Sequence, residues 1–254
     1  MRSNRGFRVR MRRGAAILPS LFTTGNLFLG FWAIIKAVQG RFEEAAPLIA
    51  WAMVLDVLDG LIARMTGTTS DFGGELDSLA DVISFGVAPA ILAYLWALSA
   101  MPRVGWLVAF LFVMCSAMRL ARFNVQRHVM DSRFFIGLPT PAAAGQVAAV
   151  IFFAPDGLNG RPAVAIAAVA LAALALLMVS TWRYPSLKGV DVRRRRSYLH
   201  VLGIAMVFLL IASHPKWVLL GLATTYTVSA PLLWLWGYLR RRRERSAEVV
   251  STSP

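Results

Sequence analysis

One cysteine, Cys115, occurs in the 254 residues, so no disulfide can form within the chain. It falls in the middle of an apolar run and reads as a small core or lipid-facing residue. The three histidines, His128, His200 and His214, are scattered and offer no metal-ligand spacing. Charge is also scarce: 16% of residues are charged and 57% are hydrophobic. The longest polar stretches are the two tails and two loops, which leaves no room for a separate soluble domain. No internal repeat stands out, so an inverted-repeat transporter gains no support. Acidic residues number 13 against 27 basic ones, a net charge of +14. Such an excess would suit nucleic acid, but its distribution along the chain points to a membrane instead.

Eight apolar runs can be drawn, at 17–38, 45–65, 75–98, 104–126, 141–155, 162–181, 198–213 and 216–239. Most approach the roughly 20 residues that a helix needs to cross a bilayer; the fifth and seventh are short. The expectation is therefore an all-α, polytopic membrane helix bundle of about eight transmembrane helices. In that arrangement 22 of the 27 Lys and Arg fall on one side. Arg41, Arg103, Arg161 and Lys216 fall on the other, and Lys36 lies within the first run. This asymmetry places both termini in the cytosol. An arginine-rich start before an apolar run could also be a signal peptide. The run is too long for a typical signal core, however, and no small-residue cleavage site follows, so it reads as a retained helix. The basic tails, 1–16 and 240–254, lack apolar periodicity and suit either topology or contact with anionic headgroups. Several tryptophans, such as Trp96 and Trp182, sit near run ends, where indole favours the interface.

Against this apolar background stand Asp56, Asp59, Asp77 and Asp81. Carboxylates are costly near hydrocarbon, and a cluster of them implies something to hold. Asp56 and Asp59 are three apart and share a helix face; Asp77 and Asp81, four apart, share another. Gly60 removes a side chain beside the first pair, where a ligand or helix could approach. Arg64, eight residues beyond Asp56, stands about 80° round the helix and roughly 12 Å along it, so it can face the same cleft. Two antiparallel helices joined by a tight loop would set the pairs opposite each other. Four such oxygen ligands suit one or two hard cations, Mg²⁺ or Mn²⁺. With a guanidinium nearby, that set points to chemistry on a phosphate or diphosphate. Ion pairing within the bundle would leave the carboxylates under-neutralised, since Arg64, Arg119 and Arg122 are the only near partners. A divalent-cation transporter explains the aspartates but not the interleaved glycines and arginine.

The stretch resembles the signature of the CDP-alcohol phosphotransferase family. Asp56, Asp59, Gly60, Ala63, Arg64, Gly73, Asp77 and Asp81 fill every fixed position of D-x2-D-G-x2-A-R-x8-G-x3-D-x3-D. Flanking segments are most similar to the family's phosphatidylserine synthase branch. They are Asp77–Pro89, Arg119–Asn124, Phe135–Ala144 and Arg183–Lys188. The resemblance covers roughly 17–190, leaving 191–239 as a two-helix extension.

The resemblance implies that Asp56, Asp59, Asp77 and Asp81 hold two divalent metal ions, with Asp81 also the general base. It implies that Gly60, Arg64, Ser70 and Gly73 bind CDP-diacylglycerol, with Asn26 and Ser20 as further candidates. The reaction implied is attack of the L-serine hydroxyl on the β-phosphorus, giving phosphatidylserine and CMP. Arg119 and Arg122 are candidates for the acceptor carboxylate, though arginines at a helix end also serve topology. Other acceptors (glycerol 3-phosphate, inositol phosphate, choline) would keep the chemistry. A homodimer in the cell membrane with a cytosol-facing site, contacting membrane lipids and not nucleic acid, completes the expectation.

Overall fold

A computed structural model describes residues 3–66, 71–126, 134–158, 160–185, 205–206 and 209–251. The chain begins with helix α1 (Ser3–Val38), which turns back into α2 (Phe42–Thr66). Both helices bury small residues, including Ala33, Ala37, Ala45, Ala46 and Ala52. Small side chains let two helix backbones approach closely, which is how helices associate where hydrophobic burial cannot drive them together.

The third rod is α3 (Asp71–Asp81), a π-helical turn (Val82–Val87) and α4 (Ala88–Trp96). Pro89 follows the wide turn; it has no N–H to offer a regular α-helical ladder, so a change of helix type just before it is tolerated. The π turn packs on α1. A Cβ on Gly30 would lie 2.7 Å from the Ser84 Cα, so only glycine permits this approach. Ser84 Oγ then donates to the Asn26 carbonyl at 3.0 Å.

Helix α5 (Gly105–Gln126), strand β1 (Phe134–Ile136), α6 (Thr140–Phe153), α7 (Arg161–Val179), strand β2 (Arg183–Pro185) and α8 (Pro215–Ser251) complete the described chain. The core lies between the helices, with Ile49, Phe85, Leu92, Phe112, Leu138 and Met178 fully buried. Outward faces carry Phe28, Trp51, Phe110, Val169 and Leu232, a density of exposed large apolar groups that suits lipid and not water. Cys115 is buried in the core as a free thiol.

Among the described residues, six helices are long and apolar enough to cross a membrane: Leu21–Val38, Phe42–Ala63, Phe72–Trp96, Gly105–Val125, Arg161–Val179 and Pro215–Trp234. Among the expected eight, the fifth is the shorter Thr140–Phe153, and the seventh, 198–213, falls largely outside the described residues. Two further differences from the sequence reading are clear. The basic tails continue the helices, α1 from Ser3 and α8 to Ser251, because Arg, Glu and Ala are good helix formers. The helical bundle also carries one short ladder, in which β1 and β2 pair antiparallel with Phe135 opposite Tyr184.

Candidate active site

Helix α2 carries Asp56 near its C-terminal end, and α3 presents Asp77 and Asp81 from one face. Carboxylate oxygens of these three residues all lie within 4.8 Å of one another. Like charges at that separation repel, and the repulsion is stronger where water is scarce. Asp81 is only 9% exposed.

Helix α1 closes one side. Thr23 and Asn26, three apart, face the aspartates together. Thr23 Oγ1 donates to Asp59 Oδ2, which engages the fourth carboxylate outside the group of three. Asn26 is fully buried; its Nδ2 donates to Asp81 Oδ1 at 3.3 Å, while its Oδ1 has no partner among the described residues. A buried acceptor without a donor is costly and is ordinarily satisfied by a ligand, ion or water.

Helix α5 closes the other side with Arg119, 8% exposed. Its Nη1 donates to Thr140 Oγ1 at 3.0 Å, and its Nε is buried without a partner among the described residues. The guanidinium lies within electrostatic range of Asp81. One turn beyond, Asn124 Nδ2 donates to Ser78 Oγ at 2.8 Å, and Ser78 donates in turn to the Gly74 carbonyl at 2.9 Å. This chain of bonds ties α5 to the α3 turn that carries Asp77.

The β1–β2 ladder explains why Thr140 stands where it does. Directly after β1, Gly137 adopts φ +75°, and a Cβ there would lie 2.3 Å from the Met178 carbonyl oxygen. The turn is fixed by Gly137 N–H to Trp182 O (2.8 Å) and Leu138 N–H to Leu177 O (2.9 Å). It delivers the chain through Pro139 into α6, whose first residue is Thr140. Tyr184 of β2 is buried, and its hydroxyl donates to the Thr227 carbonyl of α8 at 3.1 Å. Burial, with the neighbouring Tyr226 adding to it, pushes the Tyr184 phenol up to about 12, so it remains a neutral donor throughout the physiological range.

The residues singled out from sequence therefore divide. Asp56, Asp77, Asp81, Asn26 and Arg119 gather at one end of the bundle. Asp59 bonds to Thr23 beside them. Gly60 and Gly73 are half-buried on α2 and α3, and Arg122 is half-buried three residues beyond Arg119. The side chains of Ser20 and Arg64, and all of Ser70, lie outside the described residues. Thr23, Thr140, Ser78 and Asn124 join the site without a distinct mark in the sequence beyond a lone polar side chain inside or at the end of an apolar run.

Three converging carboxylates, with an orphaned amide oxygen beside them, are a hard, anionic, oxygen-only donor set and fit a divalent cation such as Mg²⁺ or Mn²⁺. Arg119, with a free buried N–H, offers a place for an anionic group on the same side.

Comparison with known proteins accords with this geometry. A CDP-diacylglycerol–serine O-phosphatidyltransferase of Helicobacter pylori is 41% identical over 196 residues, 76% of this chain and 81% of that protein. A protein of the same name from Bacillus subtilis is 35% identical over 171 residues, 67% of this chain and 91% of the relative. An archaetidylserine synthase of Methanothermobacter thermautotrophicus is 38% identical over 175 residues, 68% and 71% of the two chains. The family model for CDP-alcohol phosphatidyltransferases matches residues 16–182, a range that holds α2, α3, Asn26 and Arg119 alike, and the chain belongs to that family.

Proposed function

We propose that this protein transfers the phosphatidyl group of CDP-diacylglycerol to the hydroxyl of L-serine, forming phosphatidylserine and releasing CMP. The observation that carries the reading is the meeting of Asp56, Asp77 and Asp81 beside the buried Arg119. The names of the relatives from Helicobacter pylori and Bacillus subtilis supply the substrates.

In this reading Asp56, Asp59, Asp77 and Asp81 would hold two divalent cations. Bound there, the cations would supply charge neutralisation on the diphosphate and the departing CMP. Asp81 takes the proton from the serine hydroxyl as its oxygen attacks the β-phosphorus. The Asn26 amide holds the Asp81 carboxylate in place through Oδ1, leaving Oδ2 for the proton. General-base assistance of this kind is worth about 10²–10⁴ in rate. Gly60, Arg64, Ser70 and Gly73 bind the CDP portion, with Asn26 and Ser20 at its edge, while the acyl chains stay in the bilayer. Arg119 takes the serine carboxylate through its free Nε–H, and Arg122 adds positive charge beyond it.

The topology that goes with this reading has eight spans, counting Thr140–Phe153 and the 198–213 run, with both termini in the cytosol. Two things support it: the 22-to-4 division of basic residues, and the meeting of the aspartates with Thr23 and Asn26 at the end of the Leu21–Val38 span nearer the basic tail. The active site then faces the cytosol from the cell membrane.

The test is CMP release by purified protein supplied with CDP-diacylglycerol and Mg²⁺ or Mn²⁺, comparing L-serine with glycerol 3-phosphate, inositol phosphate and choline. Release requiring both metal and serine is expected. Release with a different alcohol would keep the chemistry and change the acceptor; metal flux without nucleotide turnover would replace the enzyme with a transporter.

A further inference from the structure

Asn26 enters the site with only half of its amide in use. Its Nδ2 donates to Asp81 Oδ1 at 3.3 Å, and its own Oδ1, on a fully buried side chain, has no partner among the described residues. Turning the amide round does not hide the orphan: a carbonyl oxygen would then face a carboxylate oxygen, two acceptors with no proton between them. The backbone beneath is fixed as well. Ser84 Oγ donates to the Asn26 carbonyl at 3.0 Å, and the close approach at Gly30 presses α1 onto the same π turn. An acceptor is thus held ready beside Asp81 before any substrate arrives.

The neighbours narrow what can satisfy it. A metal ion drawn to the same carboxylate oxygen would meet the amide hydrogens that already occupy it, so the better fit is a group bringing hydrogens of its own. A carboxylate close by favours a donor that is positively charged. With Asp81 as the base, the acceptor hydroxyl comes to this carboxylate, and in L-serine an ammonium with three N–H donors lies two carbons from that hydroxyl. Asn26 stands at the edge of the CDP portion, which is where an alcohol attacking the β-phosphorus must arrive. The other charge of serine is matched by Arg119, whose buried Nε–H is an orphan of the opposite kind. An unpartnered acceptor on α1 and an unpartnered donor on α5 complement the two ends of a zwitterion.

We propose that Asn26 determines acceptor specificity: its Oδ1 accepts a hydrogen bond from the α-ammonium of the incoming alcohol while Asp81 takes the hydroxyl proton. The inference rests on the serine reading and deepens it, since it makes α1 the element that distinguishes an amino acid from a hydroxy acid or a polyol phosphate.

The experiment measures CMP release by the full-length protein as wild type, Asn26→Ala and Thr23→Val, with L-serine and with 3-hydroxypropanoate, which keeps the hydroxyl and carboxylate but lacks the amine. The wild type is expected to prefer serine in kcat/KM by about ten- to a hundredfold, the effect of one hydrogen bond to a charged group. Asn26→Ala loses rate with both acceptors, because Asp81 loses its contact too, and its preference for serine falls toward unity. Thr23→Val, on the same face of α1, is expected to keep the preference whatever its rate. Binding makes the same comparison without turnover: serine should raise the thermal midpoint more than 3-hydroxypropanoate does in the wild type, and equally in Asn26→Ala. Equal use of the two acceptors by the wild type would overturn the inference and leave serine transfer standing. So would a preference kept in Asn26→Ala, or one lost equally in Thr23→Val, which would assign it to the placement of the helix. A rise in KM confined to CDP-diacylglycerol in Asn26→Ala would overturn it as well and give the amide to the nucleotide. A wild type active only with choline, whose nitrogen carries no N–H, would remove the serine reading and this inference together.

Discussion

The two ends of the bundle handle carboxylates in opposite ways. At the end where α1 turns into α2, Glu44 pairs with Lys36 at 2.8 Å and with Arg41, while Glu43 pairs with Lys216 of α8 at 2.7 Å. Lys36 also sits over the Trp32 ring and Lys216 over Phe152, so their aliphatic stems follow the apolar surface while their charges reach the glutamates. At the other end Asp56, Asp77 and Asp81 are turned toward one another. The first pattern neutralises charge within the chain and holds helices together. The second concentrates charge of one sign in a buried place and acquires a purpose only when a cation and a phosphate arrive. The contrast separates structural from functional acids in a single chain.

Replacing carboxylates at the aspartate end should give the largest effects. Asp81→Asn keeps the size and the Asn26 contact but removes the base, so turnover is expected to fall by about 10²–10⁴ with binding of CDP-diacylglycerol largely kept. Asp56→Asn is expected to lose metal and nucleotide binding together. Equilibrium binding of Mn²⁺ and of CDP-diacylglycerol, beside CMP release, distinguishes the two. Wild-type turnover in Asp81→Asn would take the base role away from that residue.

How much of this contrast could be read from the chain depends on the range of the contacts. Asp56, Asp77 and Asp81 were legible because three- and four-residue spacing fixes a helix face locally, and because charge in an apolar run is conspicuous. Six of the spans were legible through their length; 141–155 is a shorter helix, and 198–213 falls largely outside the described residues. The β1–β2 ladder was not: Phe134–Ile136 and Arg183–Pro185 are three residues each, too short for an alternating pattern, and their pairing spans nearly fifty positions. Thr23 and Thr140 carry no such signal, because a lone hydroxyl in an apolar run is as often an internal bond as a contact to a distant acid. Lys36, a charge inside the first run, pairs with Glu44 of the next helix, a contact that the first run alone does not announce.

An intermediate effect is expected where the fold positions the site without entering it. Gly137→Ala would require φ +75° of a residue with a side chain and would press its Cβ against the Met178 and Ser180 carbonyls. Strain of this kind costs about 1–3 kcal/mol. The chain must shift to relieve it, carrying Thr140 and therefore Arg119 with it. A thermal midpoint lowered by several degrees, together with a KM for serine raised more than the KM for CDP-diacylglycerol, is the expected outcome; thermal unfolding in detergent and initial rates measure it. A lower midpoint with unchanged KM values would confine Gly137 to stability.

The smallest effect belongs to the far end and is the sharper half of the comparison. Glu44→Gln keeps the shape of the side chain but removes the charge shared by Lys36 and Arg41. Glu44 faces outward, where water and salt screen such pairs, so its removal should lower the thermal midpoint only slightly, and less at high ionic strength than at low. CMP release should stay within about twofold of wild type, because the Glu44 pairs lie at the opposite end of α1 and α2 from Asp81. A large loss of turnover in Glu44→Gln would mean that the helix pair transmits the pairing at one end to the carboxylates at the other, and that the two ends act as one device.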